Sequence, residues 1–251
     1  MRVFLTGASS GLGEALARWY AARGATLALF ARREAELARL AADLAPATVA
    51  TFAGDVREPA DLARAASDFV ARYGLPDLVI ANAGISRGAL TEAPEDLPTF
   101  RAIFETNVLG MVHTFAPFVA PMRDARAGVL AGIASVAGFR GLPGSGGYCG
   151  SKSAAITYLE SLRVELRGSG VSVVTVCPGF ISTPLTSRNP YRMPFLMSPE
   201  KAAQLVAHAI ARRRRFSVVP WQMGVVGRVL RCAPRPVYDA VVAGRARKPR
   251  Q

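Results

Sequence analysis

Histidine is nearly absent from this chain, with His113 and His208 alone among 251 residues. Far apart and unaccompanied by cysteine clusters, they suggest no metal site. Cysteine is scarce as well. Cys149, Cys177 and Cys232 are too widely spaced for a metal-ligand pair and form no disulfide framework, which suits a reducing, cytoplasmic setting. No stretch reaches the roughly 18 uninterrupted apolar residues of a membrane span. The first apolar run, residues 2–6 before Gly7, is too short for the core of a secretory leader, so the expectation is a chain that crosses no membrane. Internal repeats and low-complexity linkers are missing too. Lysine is the most telling shortage: of 31 basic residues, only Lys152, Lys201 and Lys248 are lysines.

What is present fits a folded globular protein, with 51% hydrophobic and 20% charged residues. The length allows one large α/β domain. The net charge of +13 is carried almost wholly by arginine in an alanine-rich chain, a compositional bias more than a nucleic-acid surface. Its distribution is uneven. Residues 212–251 hold eleven basic residues against Asp239, a local +10 that leaves +3 for the rest.

Short apolar, β-branched runs alternate with longer helical patterns. Strands are expected at 2–6, 25–31, 48–53, 77–81, 128–134, 171–177 and 216–220, and helices at 11–23, 33–45, 58–73, 97–123, 147–168 and 199–213. The strands are apolar on both faces, as in a parallel sheet covered by helices on both sides. The expected fold is α/β, a Rossmann-type doubly wound parallel sheet in a single domain. Residues 1–220 form the catalytic unit, 184–200 a substrate loop, and 221–251 a basic tail.

After the first strand comes TGASSGLG, residues 6–13. Gly7, Gly11 and Gly13 lie between a strand and a helix, where a tight turn brings the helix N-terminus against a pyrophosphate. Ser9, Ser10 and Leu12 belong to the same turn, and the two serines offer hydroxyl donors. The second strand runs into Arg32 and Arg33, about 20 residues beyond the glycines. An NAD-binding turn places an acid there on the adenosine ribose. The guanidinium of Arg32 instead suits a 2′-phosphate, so NADP is the preferred cofactor, with NAD left open.

Further on, ASVAGFRGLPGSGGYCGSK holds Ser135, Tyr148 and Lys152. Tyr148 and Lys152 are four residues apart on one helix face. A phenol with a pKa near 10 is a poor acid or base at neutral pH, and a neighbouring ammonium favours its ionised form. A lysine in an arginine-rich chain points to a need for a compact ammonium. Ser135, at the end of the fifth strand, is placed to hydrogen-bond a carbonyl oxygen as charge develops on it. Cys149 reads as packing.

On these motifs the chain resembles the short-chain dehydrogenase/reductase family over residues 1–220. Asp55-Val56, Asn82-Ala83-Gly84, Asn107 and Pro178-Gly179 also fall in the family's order and spacing. The resemblance implies that Asp55 and Val56 flank an adenine and that Asn82 braces the sheet. It implies further that Asn107 holds a water linked to Lys152, and that Ile181 and Thr183 contact the nicotinamide amide. Ser135, Tyr148, Lys152 and Asn107 would then be catalytic in hydride transfer between NADPH and a carbonyl or secondary alcohol. Members are commonly homodimers or homotetramers. Ser10 departs from the basic residue that many NADP-preferring members carry there. The alternative is a non-catalytic nucleotide-binding regulatory protein of the same fold.

In the substrate loop, Tyr191, Met193, Phe195, Leu196 and Met197 are expected to line a lipophilic pocket, with Arg188 and Arg192 as polar contacts. In the tail, Met223, Val226, Val229 or Leu230, and Ala233 share one face of a helix that Gly224, Gly227 and Pro234 weaken. That face packs over the pocket or a second subunit, or it rests, with its arginines, on an anionic membrane surface. Nucleic acid or another acidic partner is the least supported reading.

Overall fold

A computed structural model describes residues 1–187, 189–244 and 247–250. Seven strands form one fully parallel sheet: β1 (Arg2–Thr6), β2 (Thr26–Ala31), β3 (Val49–Ala53), β4 (Leu78–Ala81), β5 (Val129–Ile133), β6 (Ser172–Pro178) and β7 (Phe216–Val219). Their spatial order is β3-β2-β1-β4-β5-β6-β7. The fold is the single-domain, doubly wound α/β arrangement expected from the sequence.

Alternation along β1 shows how the sheet is sealed. Val3 and Leu5 point into one apolar layer with α1 (Gly11–Ala21), α2 (Glu34–Asp43) and α7 (Pro199–Ala211). Phe4 points into the other, with α3 (Pro59–Tyr73), α5 (Gly110–Asp124) and α6 (Gly146–Glu165). Successive side chains of a strand face opposite ways, so a strand covered on both sides must be apolar throughout.

Two elements depart from the sequence expectation. The helix expected over 97–123 is three pieces: α4 (Leu97–Phe104), a π turn (Glu105–Leu109) and α5. Such an extra residue in a helix commonly marks a functional site, and here it carries Asn107. In the tail, α8 (Trp221–Cys232) forms despite Gly224 and Gly227, and α9 (Arg235–Val242) follows Pro234. A Cβ on Gly227 would stand 2.4 Å from the Phe139 ring, so α8 packs this close only because that position lacks a side chain.

Phe4 is fully buried, and its ring meets those of Phe30, Phe52, Phe69 and Phe118. Phe4→Ala is expected to cost about 3–5 kcal/mol through lost burial and an unfilled cavity. Urea unfolding would show this as a lower midpoint with an unchanged slope.

Candidate active site

The order of the sheet reverses between β1 and β4, whose following helices leave toward opposite faces. A crevice opens at the strands' carboxyl ends. It is a cavity of about 1010 Å³. It runs from Arg32 and Arg33 beyond β2, across the turn after β1, to Ser135 and Tyr148, and ends under α8 and α9.

The turn after β1 is built by close approach. Gly7 and Gly11 have φ of +68° and +57°, where only glycine sits without strain. A Cβ on Gly13 would come within 2.1 Å of the Gly7 carbonyl oxygen, and one on Gly7 within 2.7 Å of the Ala83 Cα. Ser10 caps α1 without a side-chain bond to its amides, so the first N–H groups of the helix face the cavity wall formed by Ser10, Gly11, Leu12 and Gly13. That is the geometry a pyrophosphate needs. Donors at a helix start, with no side chain between them and the ligand, fit a dinucleotide.

At the β2 end, Arg33 holds the turn, donating from its Nη2 to the Ser9 carbonyl oxygen and to Ser9 Oγ at 3.0 Å each. The sequence reading named Arg32 and passed over this neighbour. Arg32 is exposed, 4.0 Å from Asp55. Burial pushes the Asp55 carboxyl up, but the hydrogen bonds and charge of Arg57 outweigh this and hold it below the usual range. Asp55, Val56, Ala83, Gly84, Pro178, Gly179, Ile181 and Thr183 all line the same cavity. Asn82 joins the ends of β1 and β4: its Nδ2 donates to the Thr6 and Gly7 carbonyls at 3.1 and 3.2 Å.

Ser135 follows β5, buried, with its Oγ accepting from the Ala137 amide. Tyr148 stands in the first turn of α6 and Lys152 one turn later. The Lys152 Nζ donates to the Ile133 carbonyl at 2.9 Å and lies 6.0 Å from the Tyr148 ring centre. The sequence reading has the ammonium pull the phenol down. In the structure burial dominates both groups: it pushes Tyr148 up to about 12, with the Ser135 hydroxyl working against the shift, and Lys152 down to about 8. Both shifts favour the neutral forms.

Asn107 does not reach the cavity lining. Fully buried in the π turn, its Oδ1 accepts from the Ile85 amide at 2.8 Å. Its Nδ2 donates to the Ile85 carbonyl and to Ser151 Oγ. The side chain thereby fixes the loop after β4 against α6.

The substrate loop needs correction. Tyr191 and Arg192 line the cavity, joined by Leu185, Thr186 and Asn189, but Met193, Phe195, Leu196 and Met197 do not. Backbone bonds of Met197 to Phe180 and Ser182 draw its side chain into the core beside α7. Phe195 and Leu196 point outward, about half exposed. Arg188 lies outside the described residues. The apolar wall comes instead from Phe139, Leu142, Phe180 and the tail.

On α8, Met223, Val226, Gly227 and Leu230 line the cavity; of the two open choices, Leu230 faces inward and Val229 outward. The boundary expected at residue 220 marks where the chain leaves the sheet, and the segment after it closes the pocket. Tyr238 of α9 donates to the Gly141 carbonyl, and Arg140 lies 4.0 Å over its ring. Among the described residues, no His, Cys, Asp and Glu cluster could hold a metal ion. Cys149 is buried, and burial raises its thiol, as suits packing.

A family model described as short chain dehydrogenase matches residues 1–192. An uncharacterized oxidoreductase of Myxococcus xanthus is 40% identical over 246 residues, covering 94% of each chain. An 11-beta-hydroxysteroid dehydrogenase 1A of Arabidopsis thaliana is 37% identical over 73% of this chain, which spans about half (53%) of that relative's length. Among solved structures, a short chain dehydrogenase/reductase of Burkholderia phymatum in complex with NAD superposes with a TM-score of 0.84. It is 26% identical, over 100% of this chain and 97% of that one.

Proposed function

Because the chain belongs to the short-chain dehydrogenase family, we propose that it is an NADP-preferring reductase of carbonyl compounds, or in reverse a dehydrogenase of secondary alcohols. Its family membership makes it an oxidoreductase of alcohol and ketone groups with a nicotinamide cofactor. The observation that carries the finer reading is the placement of Ser135, Tyr148 and Lys152 together on the cavity wall.

The cofactor supplies or accepts the hydride. Tyr148, a neutral phenol whose pKa burial raises further, holds the proton that the carbonyl oxygen needs, and Ser135 donates a hydrogen bond to the same oxygen as charge builds. Lys152, anchored at the Ile133 carbonyl, is placed to meet a ribose hydroxyl and to favour the phenolate once Tyr148 has given up its proton. Asn107 acts as a positioning residue. A non-catalytic role is not favoured, since a protein without turnover has no need of all three polar groups at one point. The apolar wall under α8, and the steroid named for the Arabidopsis relative, support a lipophilic body on the substrate.

Arg32 and Arg33 support NADP over NAD, since both line the β2 end of the cavity and a guanidinium suits a 2′-phosphate. The outer face of α8 supports contact with an anionic bilayer: Trp221, Val225 and Val229 are exposed at helical spacing beside the arginines of the tail. No described helix is long and apolar enough to cross a membrane. Family members often form oligomers. Leu97, Phe104, Leu109 and Val164, exposed around α4 and α6, support a homodimer or homotetramer, whose copy number light scattering would fix.

Tyr148→Phe is expected to lower kcat at least about a thousandfold, in line with loss of a general acid, while NADPH binding followed by fluorescence stays within about twofold. Retained turnover would sink the role of the phenol. NADPH is expected to bind at least tenfold more tightly than NADH, about 1.4 kcal/mol. Arg32→Ala should remove most of that difference while sparing NADH, and equal affinity in the unaltered protein would remove the role of Arg32. In co-sedimentation, the protein is expected to pellet with phosphatidylserine vesicles at low salt and to be released at about 0.5 M. Failure to pellet would end the bilayer reading.

A further inference from the structure

The last described residues return to the cavity. The Gly88 amide donates to the Pro249 carbonyl at 3.2 Å, and Arg250 pairs with Glu95 and, at 2.9 Å, with the buried Asp96. Two glycines leave room for this strap. A Cβ on Gly88 would fall 2.3 Å from the Lys248 carbonyl oxygen, and one on Gly144 would fall 3.0 Å from the Arg247 Cβ. The segment is thus seated between the loop after β4 and the loop before α6.

The seating places Lys248 in the wall of the cavity. Its Nζ donates to Ser86 Oγ at 2.7 Å and lies 5.9 Å from the Tyr148 ring centre. The residue is 8% exposed, yet no carboxylate pairs with it among the described residues. Among the described residues, the only acid in the cavity lining is Asp55, at the opposite end. Burial pulls the Lys248 ammonium down from its ordinary range, as desolvation without a counter-charge must. A lone buried cation is costly and is normally paired. Other cations of this end are less suited to answer a substrate carboxylate: Lys152 is held at the Ile133 carbonyl, where the reading above gives it the ribose and the phenolate, Arg140 is spent on the Arg231 and Ala233 carbonyls, and Arg192 lies in the exposed rim.

We propose that Lys248, with the Ser86 hydroxyl, is the seat for a carboxylate carried by the substrate beside its reacting carbonyl. The substrates are then 2-oxo or 3-oxo acids, or the corresponding hydroxy acids, with an apolar body lying under α8. The spacing favours a carboxylate one or two carbons from the carbonyl, since Lys248 and the proton-donating ring are within one small acid's reach. The Lys248 ammonium keeps two further N–H donors, and the Ser86 hydroxyl proton is uncommitted among the described residues, so the seat can offer a carboxylate more than one charge-assisted bond. This assignment rests on the reductase reading above and deepens it.

The test compares phenylglyoxylate with its methyl ester as substrates, and phenylacetate with phenylacetamide as non-reacting ligands measured by calorimetry. The full-length protein and its Lys248→Met and Lys248→Arg variants are used. The unaltered enzyme is expected to prefer the acid by more than tenfold in kcat/KM. Lys248→Met should lower kcat/KM for the acid by 10- to 100-fold, mostly in KM, and leave the ester within about twofold, while Lys248→Arg restores part of the loss. Equal use of acid and ester, or an equal loss on both in Lys248→Met, would overturn the proposal with the reductase reading intact. Absence of turnover on either compound would count against the reductase reading, and binding then decides. Phenylacetate bound by the unaltered protein and lost in Lys248→Met supports the seat. Binding that is equal in both, or missing from both, overturns it.

Discussion

One side-chain amide holds the mouth of the sheet together. Where β1 and β4 end, their helices depart to opposite faces, and the carbonyls of Thr6 and Gly7 are left without strand partners. The Asn82 Nδ2 answers both, and its backbone amide donates to the Thr6 Oγ1 at 3.2 Å. Each such bond is worth only about 1 kcal/mol net, yet leaving a buried carbonyl unanswered costs more. The same nitrogen sets the size of the turn: a Cβ on Gly13 would meet it at 2.7 Å. Gly7 and Gly13 are therefore required by the asparagine after β4 as much as by any ligand.

With the mouth held, the centre of the cavity is governed by desolvation. Tyr148 and Lys152 are pushed in opposite directions on the pH scale but toward the same condition, absence of charge. A neutral phenol is the form that can give a proton, which suits carbonyl reduction. An ammonium whose proton is loosely held near pH 8 can take part in relaying the replacement. The sequence points to this pair through their mutual attraction. In the folded chain the larger influence on each is the protein that surrounds it, while attraction between them becomes important once a negative phenolate forms.

The sheet was legible because both-face burial forces unbroken apolar strands, and each of β1 to β7 falls within a residue or two of its expected span. The glycine turn and the Tyr148–Lys152 spacing were legible because backbone approach and helical pitch are local constraints. What escaped was non-local. Nothing in the string marks Arg33 rather than Arg32 as the partner of Ser9, since both follow the same strand. The substrate loop misled because apolar residues in an irregular segment do not declare which way they face. Met197 turns into the core through a backbone bridge with Ile181, and Phe195 turns to solvent. The π turn left no pattern either, because its cause is the pairing of Asn107 with Ile85, 22 residues earlier.

The tail shows how periodicity can be right about a helix and silent about its surroundings. An apolar face at helical spacing predicts that something covers it, without saying what. One of the glycines that weaken α8 in the sequence is what lets it approach: Gly227 lies against Phe139, where a Cβ would stand 2.4 Å from the ring. The inner face thereby becomes pocket wall, and the outer face, with Trp221 and Val229, stays exposed. Charge divides in the same way. Most arginines of the tail remain near solvent, where a guanidinium's long apolar stem and delocalised charge are tolerated. The one lysine of the tail is drawn inside. The scarcity of lysine, which pointed to Lys152, thus points to Lys248 as well.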